Sequence, residues 1–412
     1  MTEKRYKKLR TAQELQGLME GHYRQVELKM LRLGKPVAWV TSGAPVELLQ
    51  AMDILPVYPE NYGALCGARG VGAQLCQIIE AKGYSQDLCS YAKESLAAIV
   101  NPKLAPLGGL PRPDVLISCS NICGTVLKWY EAVARLTNVP LFLIDTPYIH
   151  EDDGRAPEHA LRYVVAQLQD LVVWLEKQTR RTLKPDRLRQ SVALAAETTV
   201  LWREIRELCR ARPSPLNAPD LFLNMAPIVT LRGTKEAVAF YRKLKAEVEE
   251  RVAQGVGAIP QEKYRLLWDN IAIWPKLYRF YSQFVDYGAC FVVDTYTGGW
   301  AMKMDGGDPL EAAARVYTEV FLNQSVRFRA NRIVQMVQDF AVDGFVMHSN
   351  RSCKPYSLGQ YDIKRIVTER TGVPGLLIEA DHCDVRSYAE EPIKTRIQAF
   401  METLSAKVAA AA

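Results

Sequence analysis

Short unbroken apolar runs alternate with longer periodic stretches along this chain. Residues 11–33 place Leu15, Leu18, Met19, Val26, Leu28 and Leu31 at helical spacing. Residues 36–42 form an apolar run that closes in polar residues, and residues 45–53 read as a helix opened by proline. Residues 54–58 are a short strand leading into Pro59-Glu60-Asn61. Two later stretches look like copies of each other. One is Asp114-Val-Leu-Ile-Ser-Cys-Ser-Asn-Ile-Cys123, the other Asp343-Gly-Phe-Val-Met-His-Ser-Asn-Arg-Ser-Cys353. Each has an acidic start, a short strand, a Ser-Asn turn and a cysteine. A second matching strand follows each, at 139–145 and 373–379.

Strands alternating with helices imply parallel sheets covered on both faces. Here the pattern occurs twice. The predicted fold class is α/β, with two similar doubly wound parallel-sheet lobes of flavodoxin or Rossmann type and a helical connecting region. The first lobe, with an N-terminal helix, is expected over residues 1–154. The helical region takes 155–255 and the second lobe 256–412, with strands near 264–268, 289–294, 343–348 and 373–379. Open α/β sheets bind ligands beyond the C-terminal ends of their strands. Cys123 and Cys353 would both stand there, which suggests one site made by two lobes with sulfur in it.

Composition narrows the class. The 412 residues suffice for two or three domains with real cores, and 48% hydrophobic with 24% charged content is ordinary for a globular protein. A net charge of +6 is too diffuse to argue for nucleic acid, though compatible with a phosphate-bearing ligand such as a coenzyme A ester. No apolar run approaches the ~20 residues that span a bilayer. The basic start, residues 1–10, lacks a following apolar core and is not read as a signal peptide. A cytoplasmic location follows, with neither nucleic acid nor membrane as partner. Nine cysteines, an odd number with no CxxC pair, fit free or metal-bound thiols better than a disulfide framework.

Cys119 and Cys123 would share a helix face if a helix began at the strand end, with Cys123 near a positive helix N-terminus that favours thiolate. Asp87 is placed to cap a helix whose first turn holds Cys89. Three scattered thiols can hold an iron–sulfur cluster with one iron left open; a plain α/β binding protein with buried cysteines is the alternative. Cys209 and Cys383 fall outside the strand-end set. The glycine-rich residues 67–72 lack the Lys-Ser/Thr ending of a phosphate-binding loop and read as a flexible loop. Residues 297–308 read as a surface loop or a substrate lid. His348 and His382 read as satisfied structural histidines.

Four motifs carry a resemblance: Tyr58-Pro-Glu-Asn61, Gly83-Tyr-Ser-x-Asp-Leu-Cys-x-Tyr-Ala92, Cys119-x-Asn-Ile-Cys-x-x-Val-x-Lys-Trp-Tyr-Glu131 and Asn350-Arg-Ser-Cys-Lys354. Together they resemble the 2-hydroxyacyl-CoA dehydratase and benzoyl-CoA reductase family, most closely its α-type dehydratase subunits. The resemblance implies a [4Fe–4S] cluster held by Cys89, Cys123 and Cys353, with one iron not ligated by cysteine. It further implies a homologous second subunit, an acyl-CoA substrate, and a separate ATP-hydrolysing iron–sulfur activator that injects one electron. The implied chemistry is dehydration of an (R)-2-hydroxyacyl-CoA to the (E)-2-enoyl-CoA through a ketyl radical. A benzoyl-CoA reductase subunit or a double-cubane homologue is the runner-up. Cys66, Cys76 and Cys119 match no ligand position. Ser42 and Glu60 directly follow first-lobe strands, so they are expected on the substrate side of the cluster. There Ser42 would hydrogen-bond a ligand, and Glu60 would position substrate or move a proton.

Overall fold

A computed structural model describes residues 7–30, 34–304 and 307–411 of the chain. Most of the basic start, the end of the 11–33 helical pattern with Leu31, and two residues of the 297–308 loop lie outside the described residues. So do the side chains at 26–30, and with them Val26 and Leu28.

Among the described residues, eight strands form two sheets. The first contains β1 (Val37–Val40), β2 (Leu55–Val57), β3 (Val115–Cys119) and β4 (Leu141–Ile144). The second contains β5 (Tyr264–Asp269), β6 (Ala289–Asp294), β7 (Gly344–Asn350) and β8 (Gly375–Ala380). Their orders are β2-β1-β3-β4 and β6-β5-β7-β8, one topology used twice. Every strand pair is parallel. This is the expected α/β class with two doubly wound lobes, in the flavodoxin-like order.

The strands are short and apolar because both faces are buried. Side chains alternate between two cores. Ala38, Val40 and Ile117 enter one core, and Val37, Trp39 and Leu116 the other. In the second sheet Leu267, Phe345 and Met347 join the first core, while Leu266, Trp268 and Val346 join the second. The two cores therefore run through both lobes.

The repeated acidic start has a physical role. Asp114 Oδ2 accepts from the Val37 N–H at 2.7 Å, and Asp343 Oδ2 accepts from the Arg265 N–H at 2.8 Å. Each acid thus clamps the entry of its third strand to the entry of its first. The copies differ just beyond. Ser120 and Asn121 form a turn after β3, but Ser349 and Asn350 extend β7 by two residues, against the expected second Ser-Asn turn. Pairing of Ser349 with Glu379 and of Asn350 with Ala380 holds them in the ladder.

Between the lobes run helices Glu158–Thr179, Pro185–Glu207, Ala218–Asn224, Ala226–Thr230 and Lys235–Ala253. They tie to both sheets. Arg232, fully buried, donates to Glu47 Oε1 at 3.0 Å and to the Tyr317 hydroxyl at 2.6 Å, and Tyr317 donates in turn to Glu47 Oε2 at 2.7 Å. A buried charge is tolerated only when paired in this way.

Candidate functional site

The C-terminal ends of both sheets open onto one cavity of about 390 Å³. In the first sheet the chain leaves β1 toward one edge and β3 toward the other. That reversal between adjacent strands leaves a crevice where ligands bind. Ser42 and Gly43 follow β1, Glu60 follows β2, and Ile122 and Cys123 follow β3; all line the cavity. From the second sheet come Ile271 and Trp274 after β5, Tyr296 and Gly299 after β6, and Cys353 after β7. Cys89 reaches the cavity from the segment before helix Ser90–Val100. The five residues singled out in the sequence, Ser42, Glu60, Cys89, Cys123 and Cys353, are brought together on this one surface.

Each thiol stands just before a helix. Cys89 caps Ser90–Val100, Cys353 caps Lys354–Ser357, and Cys123 precedes Thr125–Thr137 by two residues. Burial raises all three thiols above the ordinary range, Cys353 to about 12. Cys123 pushes both Cys89 and Cys353 further up, so the three sense one another. Opposing this, the backbone N–H three residues on (Ala92, Val126 and Tyr356, respectively) favours each thiolate. Two local expectations fail here. Asp87 does not cap the helix; its carboxylate pairs with Arg351 at 3.2 Å, and Cys89 itself is the N-cap. Nor do Cys119 and Cys123 share a helix face. Cys119 ends β3 with its sulfur 3.2 Å from Thr146 Oγ1, and a turn separates it from Cys123.

Glu60 lies in the first turn of helix Pro59–Ala68, where a carboxylate suits the positive end of the peptide dipoles. Its Oε2 accepts the Ser42 N–H at 2.9 Å, while Oε1 has no protein partner. Burial lifts its carboxyl to about 7, against the Ser42 N–H, which favours the charged form. An acid so placed can give or take a proton near neutral pH.

Behind Cys89 lies a buried network that no motif announced. Ser90 Oγ donates to Asp381 Oδ1 at 2.7 Å and contacts His382 Nε2 at 2.8 Å. His382 Nε2 also approaches Cys89 Sγ at 3.9 Å, and its ring packs edge-on to Tyr91, centroids 4.2 Å apart. His382 is thus a satisfied histidine, as expected, but one supporting Cys89. His348 is not fully satisfied: Nδ1 meets the Ile271 carbonyl at 2.8 Å, while the buried Nε2 is unpartnered. The 67–72 stretch is no flexible loop. Gly67 sits in helix Pro59–Ala68, and Gly72 opens helix Gly72–Glu80. A Cβ at Gly67 would come 2.6 Å from Cys383 Sγ, so glycine serves close packing there. Cys383 lies just past β8, not away from the strand ends as expected, but it points inward and donates to the Gly63 carbonyl at 3.3 Å. Cys66, Cys76 and Cys383 are fully buried and lie outside the cavity lining.

Fold and site together define a two-lobed α/β protein that gathers three thiols, each just ahead of a helix, and a near-neutral acid on one apolar cavity. The chain belongs to the family described as 2-hydroxyglutaryl-CoA dehydratase, D-component, whose model matches residues 41–404. It is 34% identical to the (R)-2-hydroxyisocaproyl-CoA dehydratase alpha subunit of Clostridioides difficile, over 90% of each chain. It is 31% identical to the alpha subunit of lactoyl-CoA dehydratase of Anaerotignum propionicum, over 97% of this chain and 98% of that one. Similarity also extends to a benzoyl-CoA reductase subunit of Thauera aromatica, at 28% identity over 90% and 89% of the two chains. These findings bear out the family resemblance read from the motifs.

Proposed function

We propose that this chain is the [4Fe–4S]-bearing, α-type subunit of an ATP-activated radical (R)-2-hydroxyacyl-CoA dehydratase, forming (E)-2-enoyl-CoA in the cytoplasm. The observation that carries the reading is the convergence of Cys89, Cys123, Cys353, Ser42 and Glu60 on one cavity. Among the described residues no three His, Cys, Asp or Glu side chains are grouped to hold a single metal ion. A cluster binds its thiols through separate irons, so a wider set of three fits it. Cys89, Cys123 and Cys353 would hold the group, and metal binding would deprotonate thiols that burial alone keeps neutral. Bound there, it would supply a low-potential electron and an iron with an open position.

The chain's own residues handle protons and water. Glu60, fixed through Oε2 by the Ser42 N–H, presents Oε1 to the substrate. Protonated, it gives its proton to the departing 2-hydroxyl. As carboxylate it takes the C3 proton, so the balance is one water and one enoyl thioester. Ser42 orients the oxygen being lost. Trp129, Phe222 and Trp300 line the cavity and keep bulk water from the reacting carbons.

A homologous second subunit completes the enzyme, which agrees with relatives that are themselves named as subunits. A separate activator hydrolyses ATP and docks transiently, in keeping with the lack of a phosphate-binding loop in the sequence. The likeness to a benzoyl-CoA reductase subunit favours a second reading, an aromatic acyl-CoA reductase. ATP consumed per product in the reconstituted system decides between them. A dehydratase recycles its electron, so the expected ratio is far below one. A fixed ratio at or above one overturns dehydration in favour of reduction.

A further inference from the structure

The cavity's chemistry restricts the acyl group. Its described lining holds no Lys, Arg or His, and Glu60 is its one carboxylate. Polar groups on the wall are largely committed. The Tyr23 hydroxyl donates to Asn61 Oδ1 at 2.8 Å, and the Ser42 N–H is used on Glu60. A cation does lie behind the wall. Arg232 sits 5.2 Å from the Trp300 ring centre, but its charge is spent on Glu47, and Trp300 and Tyr317 stand at the lining. The wall away from the strand ends is built by the connecting helices: Phe222, Leu223, Met225 and Val229, with Trp300 and Met302.

A second carboxylate on the substrate would enter this space with no counter-ion and with Glu60 nearby. An ionised group buried unpaired is strongly disfavoured. A branched aliphatic or phenyl side chain would instead meet apolar and aromatic walls. The cavity, about 390 Å³, would hold the cluster at the thiols, so the acyl group is left the apolar and aromatic wall opposite them.

We infer that the acyl site takes a bulky, uncharged 2-hydroxyacyl group, aliphatic or aryl, and rejects one that ends in a carboxylate. The inference rests on the dehydratase reading and adds the substrate class to it.

The test measures kcat/KM of the activated, complete enzyme on three (R)-2-hydroxyacyl-CoA esters: 4-methyl-branched aliphatic, phenyl-bearing, and terminally carboxylated. Either uncharged ester is expected to exceed the acidic one by at least about 100-fold. Ratios within about 10-fold would overturn the inference and leave the dehydratase reading standing. Turnover of none of the three would overturn both. Leu223, partly exposed at the lining, offers a second measurement. In Leu223→Arg the preference should shrink by about 10-fold or more, as kcat/KM falls for the uncharged esters and rises for the acidic one. An unchanged preference in that active variant would overturn the assignment of this wall.

Discussion

Glu60→Gln isolates the acid proposed to move protons. The wild-type carboxyl is lifted from 4.5 to about 7 by burial. At about 1.4 kcal/mol per pKa unit, that is about 3 kcal/mol of penalty on the charged form. The sign follows from the direction of the shift. The folded group binds its proton more tightly than the unfolded one. Its contribution is therefore most favourable below about 4.5 and is lost as pH rises through about 7. Between pH 5.5 and 8.5 the wild type should lose about 2 kcal/mol relative to the glutamine variant, and somewhat less where cavity water reaches the carboxyl. Glutamine keeps an acceptor for the Ser42 N–H, so the two proteins should be close at the acidic end. Urea unfolding at both pH values reads the difference. Infrared titration reads the proton directly, as a carboxylic-acid carbonyl band that vanishes with a midpoint near 7 and is missing in the variant. In the assembled enzyme Glu60→Gln should lower kcat by about 100-fold or more. A band unaffected by the substitution, or a variant with unchanged kcat and KM, would refute the role.

Serine at Cys89, Cys123 or Cys353 should abolish anaerobically bound iron and activity together, whereas Cys209→Ser and Cys383→Ser should keep iron per folded chain; iron and sulfide analysis checks both. Glu47→Gln leaves the Arg232 charge buried with one partner fewer and should cost about 3–5 kcal/mol in urea unfolding, while Glu47→Leu with Arg232→Met should cost clearly less. Gly72→Ala would set a Cβ 2.6 Å from the Cys383 backbone oxygen, which cannot swing aside, so Tm should fall by several degrees in a thermal scan.

The lobes were legible because strands buried on both faces are written as apolar runs with little ambiguity. The doubled acid–strand–cysteine pattern also matched a doubled function, since Asp114 and Asp343 clamp equivalent strand entries. Strand-end logic likewise reached Ser42, Glu60, Cys123 and Cys353, while Cys89 joined them only through the family resemblance; topology carries all five to the same surface. Local detail was less legible. Gly67 and Gly72 looked like a loop because glycine serves flexibility and close packing alike, and only the neighbour decides which. The Ser90–Asp381–His382 network joins residues about 290 positions apart, with no local pattern to mark it. The cavity wall at 222–229 lay unmarked within the helical region 155–255, because a pocket face and a core face have the same composition.

The shared topology of the two lobes makes one inequality between them informative. Between β2 and β3 the first lobe supplies Cys89; between β6 and β7 the second lobe has no cysteine at all, and sets Tyr296 and Trp300 on the cavity instead. A perfectly duplicated chain would bring four thiols to the cavity. In the proposed dehydratase, three thiols where a full repeat would give four would leave one iron open to a substrate oxygen.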